Sequence, residues 1–317
     1  MSSEFYNIVP QMKEYMKLGR RYVPYIMEMP GTNIRNKYYS TDEYGFRRTI
    51  KDNKYISLKK FNNENYKGKR CAFLGNSTGY GVGSTSDLYT IPNRLNSMGD
   101  STWFNFSGRA FQSTQEILTF FFFCERDINQ CLIFSGINNF DMCYKWANDY
   151  QIKIPPFYSQ NVFKNTFRDD LLINNKFHMY LDKIHNKILS KSTTYRNYLT
   201  DNQIKLYFNE ILSQDESNEI PKCIDRSIKS FGRDLRKLCF IIDPSKIKFI
   251  LQPILEWSHK SLSEEEKYLI DINKIRAGEK WIQVMKILEK FIDYYINELS
   301  NVCKSHQIEF FNFNNNS

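Results

Sequence analysis

The sequence predicts an α/β protein of three layers, with helices on both faces of a parallel, five-stranded sheet. Segments with helical periodicity alternate with short apolar segments, and this alternation favours a parallel sheet that is covered on both sides. The chain has 317 residues and is 41% hydrophobic, which suffices for one large core or two modest ones. The segments with the length and the β-branched or aromatic content of buried strands are Arg70 to Leu74, Thr102 to Phe106, Cys131 to Phe134, Lys248 to Leu251 and Ile308 to Phe313.

Helix signals follow the first two strands and precede the last one. Thr90 followed by Pro92 is typical of an N-cap with proline in the first turn, and Ser113 with Glu116 fits a capping box. Before the last strand, apolar residues at three- and four-residue spacing predict one long helix that packs on the sheet. These residues are Val284, Leu288, Phe291, Tyr295, Leu299 and Val302.

Two regions lie outside this predicted core. Between the third and fourth strands, Gln151 to Ser245 carries several helical patterns, and its length indicates a helical insertion or cap. Within it, Arg226 to Lys237 forms either a basic face for a partner or, in our interpretation, the solvated side of a helix. Residues 1–66 are rich in Tyr, Asn and charge and predict an N-terminal extension, so that the main domain spans 67–317.

The charge of the chain restricts its partners. The formal net charge is +9, from 44 Lys and Arg against 35 Asp and Glu. Such a surplus would attract anions, for example acidic polysaccharide, nucleotide-linked sugar, a phospholipid surface or nucleic acid. We expect no nucleic-acid partner, because the sequence contains no recognisable nucleic-acid-binding module.

The sequence also predicts where the protein resides. The longest membrane-like run without a charge, Ile117 to Cys124, has eight residues, whereas a bilayer crossing needs roughly 20. The first residues show neither a basic leader nor an apolar core, so we expect a cytoplasmic protein without a transmembrane segment. The seven cysteines lack C-x-x-C spacing, which predicts reduced, mostly buried thiols and no zinc site.

A glycine-rich loop, Gly75 to Gly83, follows the first strand, where open α/β sheets place their sites. A phosphate-binding P-loop is excluded because its lysine is missing. A dinucleotide-binding fingerprint is weak, since its third glycine would fall at Ser84. From spacing alone, the loop is either a structural turn with an incidental serine or a turn that presents Ser77 for chemistry.

Three blocks, each after a successive strand, resemble the signature of the SGNH (GDSL-type) hydrolase superfamily. The family carries a G-D-S opening after the first strand, a glycine after the second, and G-x-N-D after the third. The resemblance covers roughly residues 34–313 and implies a flavodoxin-like strand order. The blocks are Leu74-Gly75-Asn76-Ser77, Asn105-Phe106-Ser107-Gly108 and Ser135-Gly136-Ile137-Asn138-Asn139.

The resemblance implies a serine esterase or O-acyltransferase that acts on a carbohydrate or glycan precursor and uses no metal or cofactor. Ser77 would form the acyl-enzyme, and the backbone amides of Ser77 and Gly108, with the side-chain amide of Asn138, would stabilise the oxyanion. The partner would be an acylated carbohydrate or acyl donor. A non-catalytic carbohydrate-binding or assembly protein with the same fold is the alternative.

A further segment, Thr41 to Arg47, resembles the D-x-x-G-F-R segment that precedes the sheet in relatives from sugar and polysaccharide gene sets. It contains Asp42, Gly45, Phe46 and Arg47 in the matching positions. We interpret it as an extended aromatic segment that packs on the core, in preference to a substrate contact.

The chain departs from the family pattern in two respects: the histidine that serves as general base is missing, and two acidic residues are replaced. The family's Asp-x-x-His block after the fifth strand is missing, and without a base a serine is a weak nucleophile. We expect a shortened chain rather than a loss of catalysis, because the other site residues occur together. Asn76 and Asn139 replace acidic residues of the first and third blocks.

None of the four histidines stands in the expected place. His185 follows Asp182 at the right spacing, but it lies in the insertion together with His178, and we interpret the match as chance. His306 precedes the last strand and therefore belongs to the wrong end of the sheet. His259 follows the fourth strand and is the better substitute, although we interpret it as a surface histidine.

Overall fold

The computed structural model describes residues 9–15, 17–19, 21–143, 150–153, 211, 219–254, 263, 264, 267 and 279–316. Its N-terminal part consists of short elements that precede the main sheet. They are helix α1 (Met12–Tyr15), the hairpin of strands β1 (Arg21–Val23) and β2 (Met27–Met29), the hairpin of β3 (Thr49–Lys51) and β4 (Lys54–Ile56), and helix α2 (Leu58–Phe61).

The main sheet has five strands, all parallel. They are β5 (Lys69–Gly75), β6 (Ser101–Asn105), β7 (Gln130–Ser135), β8 (Ile247–Leu251) and β9 (Glu309–Asn312). Their spatial order is β6-β5-β7-β8-β9, which is the flavodoxin-like order. The predicted fold class is confirmed, and no predicted strand end differs from the observed one by more than one residue.

Helices connect the strands and form the outer layers. They are α3 (Ser77–Tyr80), α4 (Ile91–Met98), α5 (Ser113–Phe123), α6 (Ile137–Asp141), α7 (Tyr150–Lys153), α8 (Lys222–Cys239), α9 (Glu279–Glu289) and α10 (Ile292–Ser305). Helix α4 begins as predicted, with Thr90 as N-cap and Pro92 in the first turn.

The side chains of alternate residues of β5 pack into two apolar cores, one on each face of the sheet. Cys71 and Phe73 pack with Trp103 and helix α4 in the smaller core. Ala72 and Leu74 belong to the main core, to which α5, α8, α9, α10 and the N-terminal part contribute. Because β5 is an interior strand and is covered on both faces, its carboxyl end carries its loop on a rigid support.

Helix α5 begins one residue earlier than predicted. Its N-cap is Gln112, whose N–H donates to Gln115 Oε1 at 3.2 Å. The predicted capping acid, Glu116, is instead buried against the sheet, where it accepts a hydrogen bond from Ser135. The prediction of a Ser113 cap was therefore wrong. Glu116, which the capping box would use at the helix start, is buried in a contact with Ser135 instead.

The single long helix predicted before the last strand is two helices. The chain leaves helical geometry at Lys290 and Phe291, between α9 and α10. Both helices place apolar residues in the main core, so the apolar spacing continues across the break. Periodicity reports which face is buried and does not detect a turn that preserves that face.

Only parts of the predicted insertion at 151–245 are described, so its helical nature as a whole stays a prediction. Its last helix, α8, does show the predicted solvated side. Lys229, Arg236 and Lys237 are exposed, whereas Arg233 pairs with Asp234 at 2.5 Å.

No helix within the described residues is both long and apolar enough to cross a bilayer. None of the seven cysteines is disulfide-bonded, and five of them are buried.

Phe46 is expected to be a main stabilising residue of the N-terminal part. Its ring is fully buried and meets the rings of Phe104, Phe106 and Phe123 edge-on, at centroid distances of 5.8, 5.7 and 5.0 Å. Phe46→Ala should therefore lower the free energy of unfolding by about 3 to 5 kcal/mol in urea titrations. The control is Phe240→Ala, at a side chain that is 84% exposed, which should change it by less than about 0.5 kcal/mol.

Candidate functional site at the carboxyl edge of the sheet

Ser77 begins a short turn of helix directly after the interior strand β5. Asn76 is the N-cap of α3, and its side-chain Oδ1 accepts the N–H of Thr78 at 3.1 Å. Gly81 ends the turn in a left-handed conformation with φ of 86°, which glycine adopts without strain. Ser77 itself is partly exposed, and its hydroxyl and its N–H have no hydrogen-bond partner among the described residues. The hydroxyl is therefore accessible rather than sealed in the core.

Two glycines allow this turn to lie directly on the sheet edge. A Cβ at Gly75 would lie 2.7 Å from the carbonyl oxygen of Phe134 in β7. A Cβ at Gly79 would lie 2.7 Å from Ser107 Oγ, in the loop after β6. Any side chain at either position would push the Ser77 turn away from its neighbours. The glycine density that the sequence shows thus serves close packing as well as turning.

The loop after β6 is bonded to the Ser77 turn. Asn105 is buried at the end of β6, and its side chain donates to Gly79 O at 3.1 Å while accepting the Ser107 N–H at 3.1 Å. Sequence analysis treated Asn105 only as part of a block. The structure makes it the link between the first two blocks.

Gly108, a predicted oxyanion donor, uses its N–H inside the protein. That N–H donates to Gly75 O at 3.1 Å and extends the pairing of β5 with β6 beyond the strand ends. The role predicted for it stays a prediction, but a ligand would have to compete with Gly75 for this donor. Two residues later, Ala110 has φ of 57°, rare for a residue with a side chain, and its N–H has no acceptor in the described part of the chain.

The loop after β7 lies beside the loop after β6. Asn138, in α6, donates through Nδ2 to Phe111 O at 2.7 Å, which leaves the second hydrogen of the amide for another acceptor. Gly136 has φ of 102°, and a Cβ there would lie 2.4 Å from Leu251 Cδ1. The structure thus brings the loops of Ser77, Gly108 and Asn138 to one edge of the sheet, as predicted from strand order.

Asn139, where the family pattern has an acid, is structural. Its Oδ1 accepts the N–H of Ser113 at 3.1 Å, and its Nδ2 donates to Ser113 Oγ at 3.0 Å. It therefore bonds the first residue of α5 as both donor and acceptor, which an ionised aspartate could not do.

Asn76, the other departure from the family pattern, forms a buried amide pair with Gln252. Asn76 Nδ2 donates to Gln252 Oε1 at 2.5 Å, and Gln252 Nε2 donates to Asn76 Oδ1 at 3.0 Å. Gln252 directly follows β8, and its carbonyl oxygen accepts Asn314 Nδ2 at 3.3 Å. The turn that carries Ser77 is therefore bonded through neutral amides to the segments after β8 and β9.

A buried acid lies below this edge. Glu116 Oε1 accepts the Ser135 hydroxyl at 2.7 Å, while Oε2 has no partner among the described residues. Burial, with a smaller contribution from Asp234, raises the pKa of Glu116 to about 8. The carboxyl group is therefore largely protonated and neutral at pH 7.

The segment from Asp42 to Arg47 packs on the core as predicted, but it is a turn and not the extended segment that was predicted, and it contacts the site only indirectly. Asp42 Oδ1 accepts the N–H groups of Tyr44 at 2.9 Å and Phe46 at 2.8 Å, which folds the segment into a turn. At Gly45, with φ of 94°, a Cβ would lie 2.4 Å from Pro30 O. The turn directs Phe46 into the core and Arg47 toward the loop that follows α3.

No base or metal accompanies Ser77 in the described residues. His306 caps the end of α10 before β9 and so lies at the amino edge of the sheet, as predicted. His178, His185 and His259 lie outside the described residues. Across the described ranges, no three His, Cys, Asp or Glu side chains gather in a way that could hold a metal ion.

A groove of about 270 Å³ opens at the opposite, amino edge, where it is lined by the segments that precede β7 and β8. Cys124 lies in this groove, and burial raises the pKa of its thiol to about 11. The thiol is therefore protonated at neutral pH and poorly nucleophilic.

The sequence matches no model of a known protein family, and no curated protein matches it significantly. The likeness to SGNH hydrolases therefore consists of the three blocks and their positions in the fold.

Gly108→Ala tests how tightly the loop after β6 is packed. A Cβ at Gly108 would lie 2.2 Å from Phe111 Cζ, and Phe111 is fully buried and cannot easily move. We expect a loss of about 3 kcal/mol in the free energy of unfolding, measured in urea. Gly99→Ala, at a site with no atom within 4 Å of the added Cβ, is the control and should be close to neutral. Equal stabilities of the two variants would contradict this packing.

Glu116→Gln tests the neutral state of the buried acid. The pKa of Glu116, about 8, exceeds that of a free glutamic acid, so between about pH 4.5 and 8 the folded state holds a proton that the unfolded state releases. Stability from this group is present at low pH and is lost as pH rises toward 8. The variant, which mimics the protonated acid, should equal the wild type at pH 5 and exceed it by about 2 to 5 kcal/mol at pH 8.5.

The measurement is a set of urea titrations of both proteins from pH 5 to 8.5. A constant difference between wild type and Glu116→Gln over this range would show that Glu116 does not titrate there.

Proposed function

We propose that the chain is an SGNH-type serine esterase or O-acyltransferase with Ser77 as its nucleophile. The observation that carries the proposal is the position of the Ser77 hydroxyl. Ser77 is partly exposed at the carboxyl end of the interior strand β5, and its hydroxyl has no partner among the described residues. The loops after β6 and β7 adjoin it, and open α/β sheets bind their ligands at this edge.

The reaction needs hydrogen-bond donors around a carbonyl oxygen, because attack by Ser77 would place negative charge there. The N–H of Ser77 and the second hydrogen of Asn138 Nδ2 support this role, since neither has an acceptor among the described residues. Gly108 would contribute its N–H after releasing Gly75 O. No cofactor enters this chemistry.

The substrate class that we propose is an acylated carbohydrate or glycan precursor, on the basis of the resemblance of the three blocks and of the Asp42 to Arg47 segment. The surplus of basic residues, +9 in formal charge, would favour an anionic sugar. We place the protein in the cytoplasm, because seven cysteines without a disulfide are typical of a reducing compartment.

A fluorophosphonate probe, which reacts with activated serines, tests the proposal. The wild-type protein should be labelled once, at Ser77, and Ser77→Ala should lose the label. The control is Ser97→Ala in α4, where the hydroxyl donates to Arg94 O at 2.7 Å, and it should be labelled like the wild type. Mass spectrometry of the labelled peptide locates the adduct. Labelling that persists in Ser77→Ala would remove the basis of the proposal.

A binding protein is the second candidate, and the hydrogen bond from Gly108 to Gly75 O favours it. That bond uses the predicted oxyanion donor to hold the protein together, and no described side chain forms a hydrogen bond with the Ser77 hydroxyl. A wild-type protein that resists the probe, yet binds a per-O-acetylated disaccharide in calorimetry, would identify it as a binder. Ser77→Ala should then bind as well as the wild type.

A further inference from the structure

Arg47 is an unusual residue because its guanidinium is completely buried. A buried charge is unfavourable unless it is paired and its hydrogen bonds are satisfied. Arg47 Nε forms an ion pair with Asp87 Oδ1, and Nη2 donates to Tyr38 O at 2.8 Å. Nη1 donates to the Tyr15 hydroxyl at 2.6 Å and to Gly81 O at 3.1 Å. Four hydrogen bonds thus hold the cation in one place.

The contact of Arg47 with Gly81 is close to Ser77, because Gly81 is itself hydrogen-bonded to Ser77. The N–H groups of Gly81 and Val82 both donate to Ser77 O, at 3.1 and 2.9 Å. The carbonyl of Gly81 is in turn held by Arg47. A displacement of Gly81 would therefore move the main chain of Ser77.

The rest of the loop after Ser77 is held by the same N-terminal part. Gly83 O accepts Gln11 Nε2 at 2.7 Å, and Ser84 O accepts the Tyr15 hydroxyl at 3.0 Å. Asp87, the partner of Arg47, also accepts the N–H of Ser40 at 3.0 Å. The carbonyls of Gly81, Gly83 and Ser84 and the partly exposed carboxylate of Asp87 are thus bonded to the N-terminal extension.

We propose that Arg47, with Asp87 and Tyr15, is a positioning element that fixes the Ser77 turn in the geometry used for reaction. The N-terminal extension then supports the site through a contact between Arg47 and Gly81, which are 34 residues apart in sequence. This inference rests on the proposed function as far as it concerns reaction rate. The restraint on Gly81 and Val82 does not depend on the proposed function, and it is tested by a separate measurement.

Two tyrosines of the N-terminal part provide a matched pair of variants. Tyr15 and Tyr39 are equally buried, their rings lie 4.8 Å apart, and each hydroxyl donates to a backbone carbonyl. Only the Tyr15 hydroxyl contacts Arg47 and the loop after Ser77, whereas that of Tyr39 donates to Glu14 O. Tyr15→Phe therefore removes the proposed restraint, and Tyr39→Phe removes a similar bond elsewhere.

The experiment measures two quantities in the full chain of wild type, Tyr15→Phe, Tyr39→Phe and Arg47→Lys. The first is the maximal rate of fluorophosphonate labelling and the probe concentration that gives half of it. Tyr15→Phe should lower the rate about 10-fold and Arg47→Lys about 100-fold, with the half-saturating concentration within about 2-fold, because misplacement affects reaction more than binding. Tyr39→Phe should stay within about 2-fold of the wild type in both.

The second quantity is amide hydrogen exchange in the peptide around Gly81 and Val82. Exchange there should be about 10-fold faster in Tyr15→Phe than in Tyr39→Phe. Circular dichroism shows which variants are folded. If Arg47→Lys is unfolded, the test depends on Tyr15→Phe alone. Equal exchange in the two tyrosine variants overturns the inference. If the wild type is labelled, an equal labelling rate in Tyr15→Phe and in the wild type overturns it as well. If the wild type is not labelled at all, the proposed function fails, and the exchange comparison alone decides whether the restraint exists.

Discussion

The close contact between the Ser77 turn and the sheet edge is the constraint on which the site depends. The absence of side chains at Gly75 and Gly79 lets this turn rest on the main chain of β7 and on Ser107. Backbone pairing then continues past the strand ends, since Gly108 N–H bonds Gly75 O. The three loops are consequently one packed unit, and a change in any of them is transmitted to Ser77.

Neutral groups hold this unit together where charged ones would be expected. Asn76 and Asn139 occupy the places of acids in the family pattern, and each bonds as donor and acceptor at once. Glu116 is buried beside Ser135 and is mostly neutral at pH 7, because burial raises its pKa to about 8. An amide needs no counter-ion, so the edge loses little from desolvation when it packs. Two ion pairs adjoin the unit, Arg47 with Asp87 beside the loop after α3 and Arg233 with Asp234, whose carboxylate accepts the Ser113 hydroxyl.

The parts of the fold that sequence could predict are those governed by local pattern. Buried strands such as β5 and β7 are short apolar runs between turn residues, and their positions and parallel pairing follow from that pattern. The positions of Ser77, Gly108 and Asn138 followed as well, because each comes directly after a strand. The break at Phe291 keeps the same apolar face and so leaves no mark on the periodicity, whereas the Gly108 hydrogen bond is a tertiary contact. Arg47 was missed as a support because Tyr15, Gly81 and Asp87, which it contacts, lie 32 to 40 residues away in sequence.

The hydrogen bonds at the edge also set what Ser77 can do chemically. A turn designed only to close the fold would satisfy its own polar groups, as Gly108, Asn76 and Asn139 do. Ser77 differs from these three residues, because its hydroxyl lacks a partner and its N–H lacks an acceptor within the described residues. Leaving two polar groups unpaired costs little where water can reach them, and it is useful only if a ligand takes that water's place. Under the proposed function, a substrate carbonyl would take this place, with its carbon near the hydroxyl and its oxygen accepting the N–H.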